Sequence, residues 1–239
     1  MGTRYKVYAD FYKGFDISFN GDSDATTGFE PGFLGIFGVD ARHYQRLDKR
    51  SILALRLAGA TNFGRQKILY YLGGADNSIG INTFNEGIPT PQTGNFVFQD
   101  LANPLRGFDI NIRNGGTYVL SNAELRVPVF NYLFRNLRSK LLRDFQLVSF
   151  FDVGTAWSGA DPFDEDNPVN ITTYPDPNLA ETGPVSVRVR RFREPIIYGY
   201  GFGARTTIFG YFIRVDYAWG VETSIRQPGK FHFSLGYDF

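Results

Sequence analysis

The chain has no cysteine, one methionine and two histidines in 239 residues. Without cysteine there is no disulfide framework and no thiolate site, which fits an oxidising compartment that avoids stray thiols. His43 and His232 lie far apart in sequence, so a histidine-based metal centre or catalytic triad is poorly supplied. There is no Gly-x-Ser-x-Gly elbow. The glycine-rich stretch 199–203 is followed by neither a helix nor Lys-Ser/Thr, so it is not a phosphate loop. No catalytic residue, metal or cofactor is expected.

An excess of charge of one sign is also missing. Lysine and arginine total 25 against 24 acidic residues, a formal net charge of +1, and the basic residues are not massed together, so nucleic acid is not an expected partner. No apolar run approaches the about 18 residues of a transmembrane helix. The mean hydropathy of −0.22 does not exclude a membrane β-barrel, which averages a lipid face with a polar lumen. The first residues, Met1-Gly2-Thr3-Arg4-Tyr5-Lys6, carry no apolar signal core and already read as a strand. The chain is therefore expected to be mature, truncated or a fragment.

What is abundant favours strands and turns: 24 Phe, 14 Tyr and 27 Gly. Successive side chains of a strand point to opposite faces, so odd and even positions are read separately. In 231–239 the odd positions are Phe231, Phe233, Leu235, Tyr237 and Phe239, against His232, Ser234, Gly236 and Asp238. The same alternation runs through 4–12, 37–44, 51–58, 117–128, 145–157, 196–205 and 211–220. In 117–128, Val119, Ala123, Leu125 and Val127 oppose Asn122, Glu124 and Arg126; in 145–157, Phe145, Leu147, Phe151, Val153 and Trp157 oppose Gln146, Asp152, Gly154 and Ala156. Eight strands are expected, each near the roughly 9–11 residues that cross a bilayer.

The apolar faces carry almost no charge, and their large aromatics gather near strand ends, as in the interfacial girdles of outer-membrane barrels. A soluble sandwich also alternates, but its apolar face is the core and is seldom so aromatic at both ends. Short connections near Leu47-Asp48-Lys49, Ile208-Phe209-Gly210 and 130–143 alternate with long ones at 20–32, 60–115, 158–194 and 220–229. That is the arrangement of periplasmic turns and external loops.

Three stretches leave alternatives open. In 133–143, Leu133, Leu137 and Leu141 repeat at i, i+4 and i+8, which reads as an amphipathic helix for anionic headgroups or as a surface turn with a short helix. Asp161, Asp164, Glu165 and Asp166 read as a weak calcium site or as a solvated acidic loop. Arg188, Arg190, Arg191 and Arg193 read as contacts for lipopolysaccharide phosphates or, with Val185, Val187 and Val189, as a strand extension.

The segment 73–116 is too long and polar for an ordinary connection, and loops of that length are usually functional or disordered. Late in it stands Leu105-Arg106-Gly107-Phe108. This tetrapeptide, followed by Asn122-Ala123-Glu124-Leu125-Arg126-Val127-Pro128 and Phe150-Phe151-Asp152-Val153-Gly154-Thr155-Ala156-Trp157, resembles the bacterial surface-antigen superfamily of BamA/TamA-like outer-membrane assembly factors. Tyr71-Leu72-Gly73-Gly74 resembles its Leu-Gly-Gly element, Gly199-Tyr200-Gly201-Phe202-Gly203-Ala204-Arg205 its late glycine-rich strand, and Leu235-Gly236-Tyr237-Asp238-Phe239 its terminal aromatic signature. The elements keep the family's order over about 37 to 239.

The resemblance implies an all-β transmembrane antiparallel barrel in the bacterial outer membrane. Residues 1–239 would form one barrel domain, the carboxy-terminal half of 16 strands, with a loop of about 62–115 folded into the lumen. Arg106 would be the lumen arginine, with Leu105 in place of the usual β-branched residue. Glu124 and Asp152 would be its wall partners, and both stand on the charge-rich side by parity. Phe233, Leu235, Tyr237 and Phe239 would form the terminal assembly signal. Inward Gly199, Gly201 and Gly203 would leave room for the loop. The implied function is non-enzymatic insertion of outer-membrane proteins or polypeptide translocation. Its partners would be outer-membrane lipid, nascent outer-membrane or secreted polypeptides, further chain segments, and accessory periplasmic or lipoprotein subunits. A secretion pore for a dedicated partner, a passive porin and, more distantly, an outer-membrane phospholipase are the alternatives. Eight strands are few for such a loop, because an eight-stranded barrel is filled by its own side chains or holds one small ligand.

Overall fold

A computed structural model describes residues 1–14, 32–79, 83–92, 94–102, 104–134, 136–175 and 185–236. Eight long strands are present: β1 (Gly2–Lys13), β2 (Phe33–Arg46), β3 (Ile52–Gly64), β4 (Thr117–Val127), β5 (Gln146–Trp157), β6 (Ile197–Ile208), β7 (Tyr211–Glu222) and β8 (Lys230–Gly236). Each pairs antiparallel with its neighbour in chain order, and a two-residue strand, Ile225–Arg226, adds to β7. The sheet is open: among the described residues β1 and β8 are its two ends and do not pair with each other. Of the terminal aromatic signature, Phe233 and Leu235 lie in β8, whereas Tyr237 and Phe239 fall outside the described residues.

The two faces divide as the alternation predicts. One face exposes Val7 and Phe11 of β1, Phe37 of β2, Leu55 and Leu57 of β3, Val119 of β4, Leu147 and Phe151 of β5, Phe202 of β6 and Phe231 of β8; Leu57 is 53% exposed and Phe151 47%. Single exposed apolar residues are ordinary, but a continuous apolar face across eight strands is not. The other face buries Asn122, Arg126, Asp152, Arg205, Arg214, Asp216 and His232. The covered face thus carries charged and polar groups beside apolar ones, while the exposed face is apolar.

Residues between β3 and β4 cover the charged, inner face. They are not structureless. Lys67–Leu72 forms the centre of a three-stranded sheet, parallel to Phe96–Ala102 and antiparallel to Arg113–Gly115. Two apolar clusters dock this lobe on the sheet. Leu72, Ala102, Leu105, Phe108 and Ile112 pack with Leu120, Ala156 and Ile197; Ile68 and Tyr70 pack with Leu34, Ile36 and Ala60. The inner face is thus apolar towards the long connections and charged further down.

In the short connection between β4 and β5 the surface-turn reading holds. No continuous helix spans 133–143; two five-residue helices, Val129–Leu133 and Lys140–Asp144, flank extended backbone at Ser139. Five-residue helices are below the length at which a helix is stable on its own, and Leu133 and Leu141 are exposed without forming one stripe. The neighbouring turn is fixed by Asp48, whose Oδ1 accepts the Ser51 N–H at 2.8 Å, the Tyr132 hydroxyl at 2.5 Å and the Arg50 N–H at 2.7 Å. These donors stabilise the carboxylate and hold its pKa down at about 2.

On the other side, Val187–Arg190 pairs with Ile171–Tyr174 in a separate two-stranded sheet, so this stretch is a strand but not a continuation of β6. Asp166 accepts Arg190 at 2.7 Å and lies 3.6 Å from Arg188, so the acidic loop and the basic strand face each other. Asp161 and Asp164 each cap a local turn, accepting the N–H of Phe163 and Asp166. Among the described residues no acidic or histidine cluster is arranged to hold a metal ion.

Candidate functional site

The site is built where the tip of the inner lobe meets β4 to β8. Arg106 is 2% exposed. Its Nε and Nη2 donate to Asp152 Oδ2 and Oδ1 at 2.7 and 2.8 Å, a two-pronged fit that lysine cannot make. Its backbone N–H reaches the same carboxylate at 3.2 Å. Nη1 donates to Glu124 Oε1 at 2.6 Å and lies 3.4 Å from Asp216 Oδ2. The guanidinium also stacks 3.6 Å from the centroid of the Phe150 ring, a cation–π contact strengthened by exclusion of water.

Both wall partners expected for Arg106, Glu124 and Asp152, are therefore in contact with it. The structure adds residues that sequence reasoning missed. Arg205 donates to Asp216 Oδ1 at 2.5 Å and to Glu124 Oε1 at 3.3 Å. Arg126 donates to Glu124 Oε2 at 3.0 Å. Asn122 bridges Asp152 and the Pro104 carbonyl, at 2.8 Å each. Three guanidiniums thus meet three carboxylates, which is how buried charge is tolerated. Strand alternation places Asp216 and Arg205 on the inner face, and the register, which aligns Gly203 with Asp216 and Asp216 with His232, brings them beside Arg106.

The backbone of the tetrapeptide fits as closely as its side chains. Gly107 has φ +93° and lies against the Trp219–Gly220 backbone, where any side chain would meet Gly220 N at 2.6 Å. Its N–H donates to His232 Nε2 at 3.2 Å, which assigns the ring proton to Nδ1. Phe108 fills the space left by the missing side chain of Gly220, and a β-carbon at Gly199 would collide with the Arg106 carbonyl oxygen. Gly201 and Gly203 do not receive the lobe: their recesses take the Phe150 ring and the Asp216 carboxylate. Leu105 is buried in the apolar cluster and bridges Gly74, its N–H donating to the Gly74 carbonyl at 3.0 Å. Gly73, at φ +126°, allows the turn that brings Leu72 and Leu105 together.

A second buried arginine anchors the lobe near its exit. Arg113 donates to Glu222 Oε1 and to the Glu194 carbonyl, both at 2.6 Å. Lys230 of β8 pairs with Asp109 at 2.8 Å.

Replacing Gly199 with valine should push the lobe off β6. We expect a loss of about 1–3 kcal/mol, the usual cost of overpacking, and faster proteolysis between 73 and 113. Gly2→Ala, where nothing lies within 4 Å, should change neither.

What these residues define is an all-β protein with one long antiparallel sheet, an exposed apolar face and a lobe locked onto the charged face. Neither a scan against protein-family models nor a search of curated proteins returns a match for the chain.

Proposed function

We propose that the chain is the strand-rich membrane part of an outer-membrane assembly factor, which inserts β-barrel proteins or passes polypeptide across that membrane. The observation that carries this reading is the docking of Arg106 from an inserted lobe into wall carboxylates, on a sheet whose opposite face is apolar. The apolar face would contact lipid, with tyrosine and tryptophan near the interfaces. An open edge in lipid is not tolerated, so closure needs further strands from this chain or another. Sixteen strands would leave room for the lobe, whereas eight would not.

In this reading no covalent step occurs. Arg106 braces the wall, and the edge of β8 offers backbone donors and acceptors to client strands. Three arginines balanced by three carboxylates leave little net field for selecting ions, which favours a brace over the filter of a porin. Partners would be lipid, unfolded outer-membrane or secreted polypeptides, and accessory periplasmic or lipoprotein subunits.

The test is reconstitution into lipid vesicles with a urea-unfolded small outer-membrane β-barrel as client. Insertion of the client into protease-resistant form should accelerate several-fold, with low, fluctuating single-channel conductance. A large steady pore without acceleration would replace the proposal with a passive porin. Export of one dedicated polypeptide without insertion would select the secretion pore.

A further inference from the structure

The edge of β8 that faces away from β7 is already occupied at Phe233–Leu235. Ser78 of the inner lobe stands directly opposite Ser234 in an antiparallel bridge, while Ser234 pairs with Arg214 of β7 on its other side. The Ile79 N–H donates to the Phe233 carbonyl at 2.9 Å, and the Leu235 N–H donates to the Asn77 carbonyl at 3.3 Å. The segment is tied to the wall as well: Arg214 Nη2 donates to the Asp76 carbonyl at 2.8 Å, just before Asn77 turns with φ 50°.

We propose that residues 77–79 are an intramolecular strand that covers the assembly edge of β8 and must leave before another strand can pair along 233–235. The inference rests on the reading that β8 accepts other strands. Its physical basis is competition for the same groups. An uncovered edge is a template for any antiparallel strand, and strand addition takes its affinity from main-chain hydrogen bonds. The Phe233 carbonyl and the Leu235 N–H are the groups such a strand would use, and both are engaged by the lobe. The partner that fits is an extended segment antiparallel to β8, the orientation that β1 has relative to β8 in the alternating sheet. The cover sits on the same lobe as Arg106, so the proposed release of the edge is coupled to the docking of that arginine.

The bridge geometry supplies the test. The two hydrogen bonds flank Ser78 and Ser234, which makes them the close, non-hydrogen-bonded type of pair, with Cα atoms about 4.5 Å apart. A disulfide spans such a distance, and the chain contains no cysteine of its own. Full-length protein carrying Ser78→Cys and Ser234→Cys is compared in lipid vesicles with wild type and with Ile79→Pro, which lacks the donor to Phe233. The probe is a synthetic peptide with the sequence of residues 2–13 and a photoreactive group, and its capture on β8 is read by mass spectrometry. Oxidation should form the disulfide and abolish capture, reduction should restore it, and Ile79→Pro should raise it several-fold. Failure of the disulfide to form, or capture that ignores both changes, overturns the proposal. Client insertion is followed in the same samples. If capture obeys the cover but no sample inserts client, the cover stands and the assembly reading falls.

Discussion

Arg106→Ala should destabilise the protein by about 3–5 kcal/mol, the cost of removing one partner from a buried ion pair. The reason lies in what is left behind. Asp152 is fully buried and loses both prongs of the guanidinium, keeping Asn122 as its remaining side-chain donor among the described residues. Glu124 is less affected, because Arg126 and Arg205 still reach it. Arg106→Lys should fall between wild type and alanine, since lysine keeps the charge but cannot reproduce the fork. Adding Asp152→Asn to Arg106→Ala should recover part of the loss, because a neutral amide is cheaper to leave unpaired than a carboxylate. Urea titration of vesicle-embedded protein gives the stability, and limited proteolysis between 73 and 113 reports docking of the lobe. An alanine variant that unfolds at the wild-type urea concentration, with its lobe equally protected and client insertion intact, would refute the bracing role.

Phe151→Arg probes the opposite face of the same strand. Phe151 lies in the middle of β5, in register with Ala123 and Tyr200, and is exposed. If that face meets lipid, an arginine near the bilayer midplane costs about 2–4 kcal/mol, and the folded fraction in vesicles should fall accordingly. If the face meets water, the same change is an ordinary surface substitution, within about ±0.5 kcal/mol. Phe209→Arg is the control: Phe209 stands 97% exposed at the tip of the β6–β7 turn, and its replacement should be nearly neutral. Equal folding of Phe151→Arg and wild type in vesicles would remove the membrane reading altogether.

The two predictions address different interactions. Arg106 holds together side chains from the lobe and from β4, β5 and β7, whereas Phe151 presents half of its side chain to the surroundings of the sheet. The Gly199→Val variant belongs with the first, because it displaces the Arg106 backbone without altering any charge.

Strand positions and faces were legible in the chain because alternation is a local property. Each residue's side depends on its neighbours two positions away, and Phe151 and Asp152 declare opposite faces by standing next to each other. The lobe was legible only as an interruption. Its internal sheet pairs Lys67–Leu72 with Phe96–Ala102 in parallel, a long-range pairing with no local signature. Of the two readings of 133–143, the surface turn with short helices is the one found, because a three-leucine repeat is too short to hold a continuous helix by itself.

By itself the sequence determined an all-β chain, the charged and apolar faces of its strands, and the glycine, arginine and phenylalanine that a tight inward loop needs. The tertiary structure decided which charges meet. Asp216 lies 110 positions from Arg106, and Ser78 lies still further from Ser234. Such contacts follow from strand register and from the path of the lobe, which many residues fix together and no local pattern records.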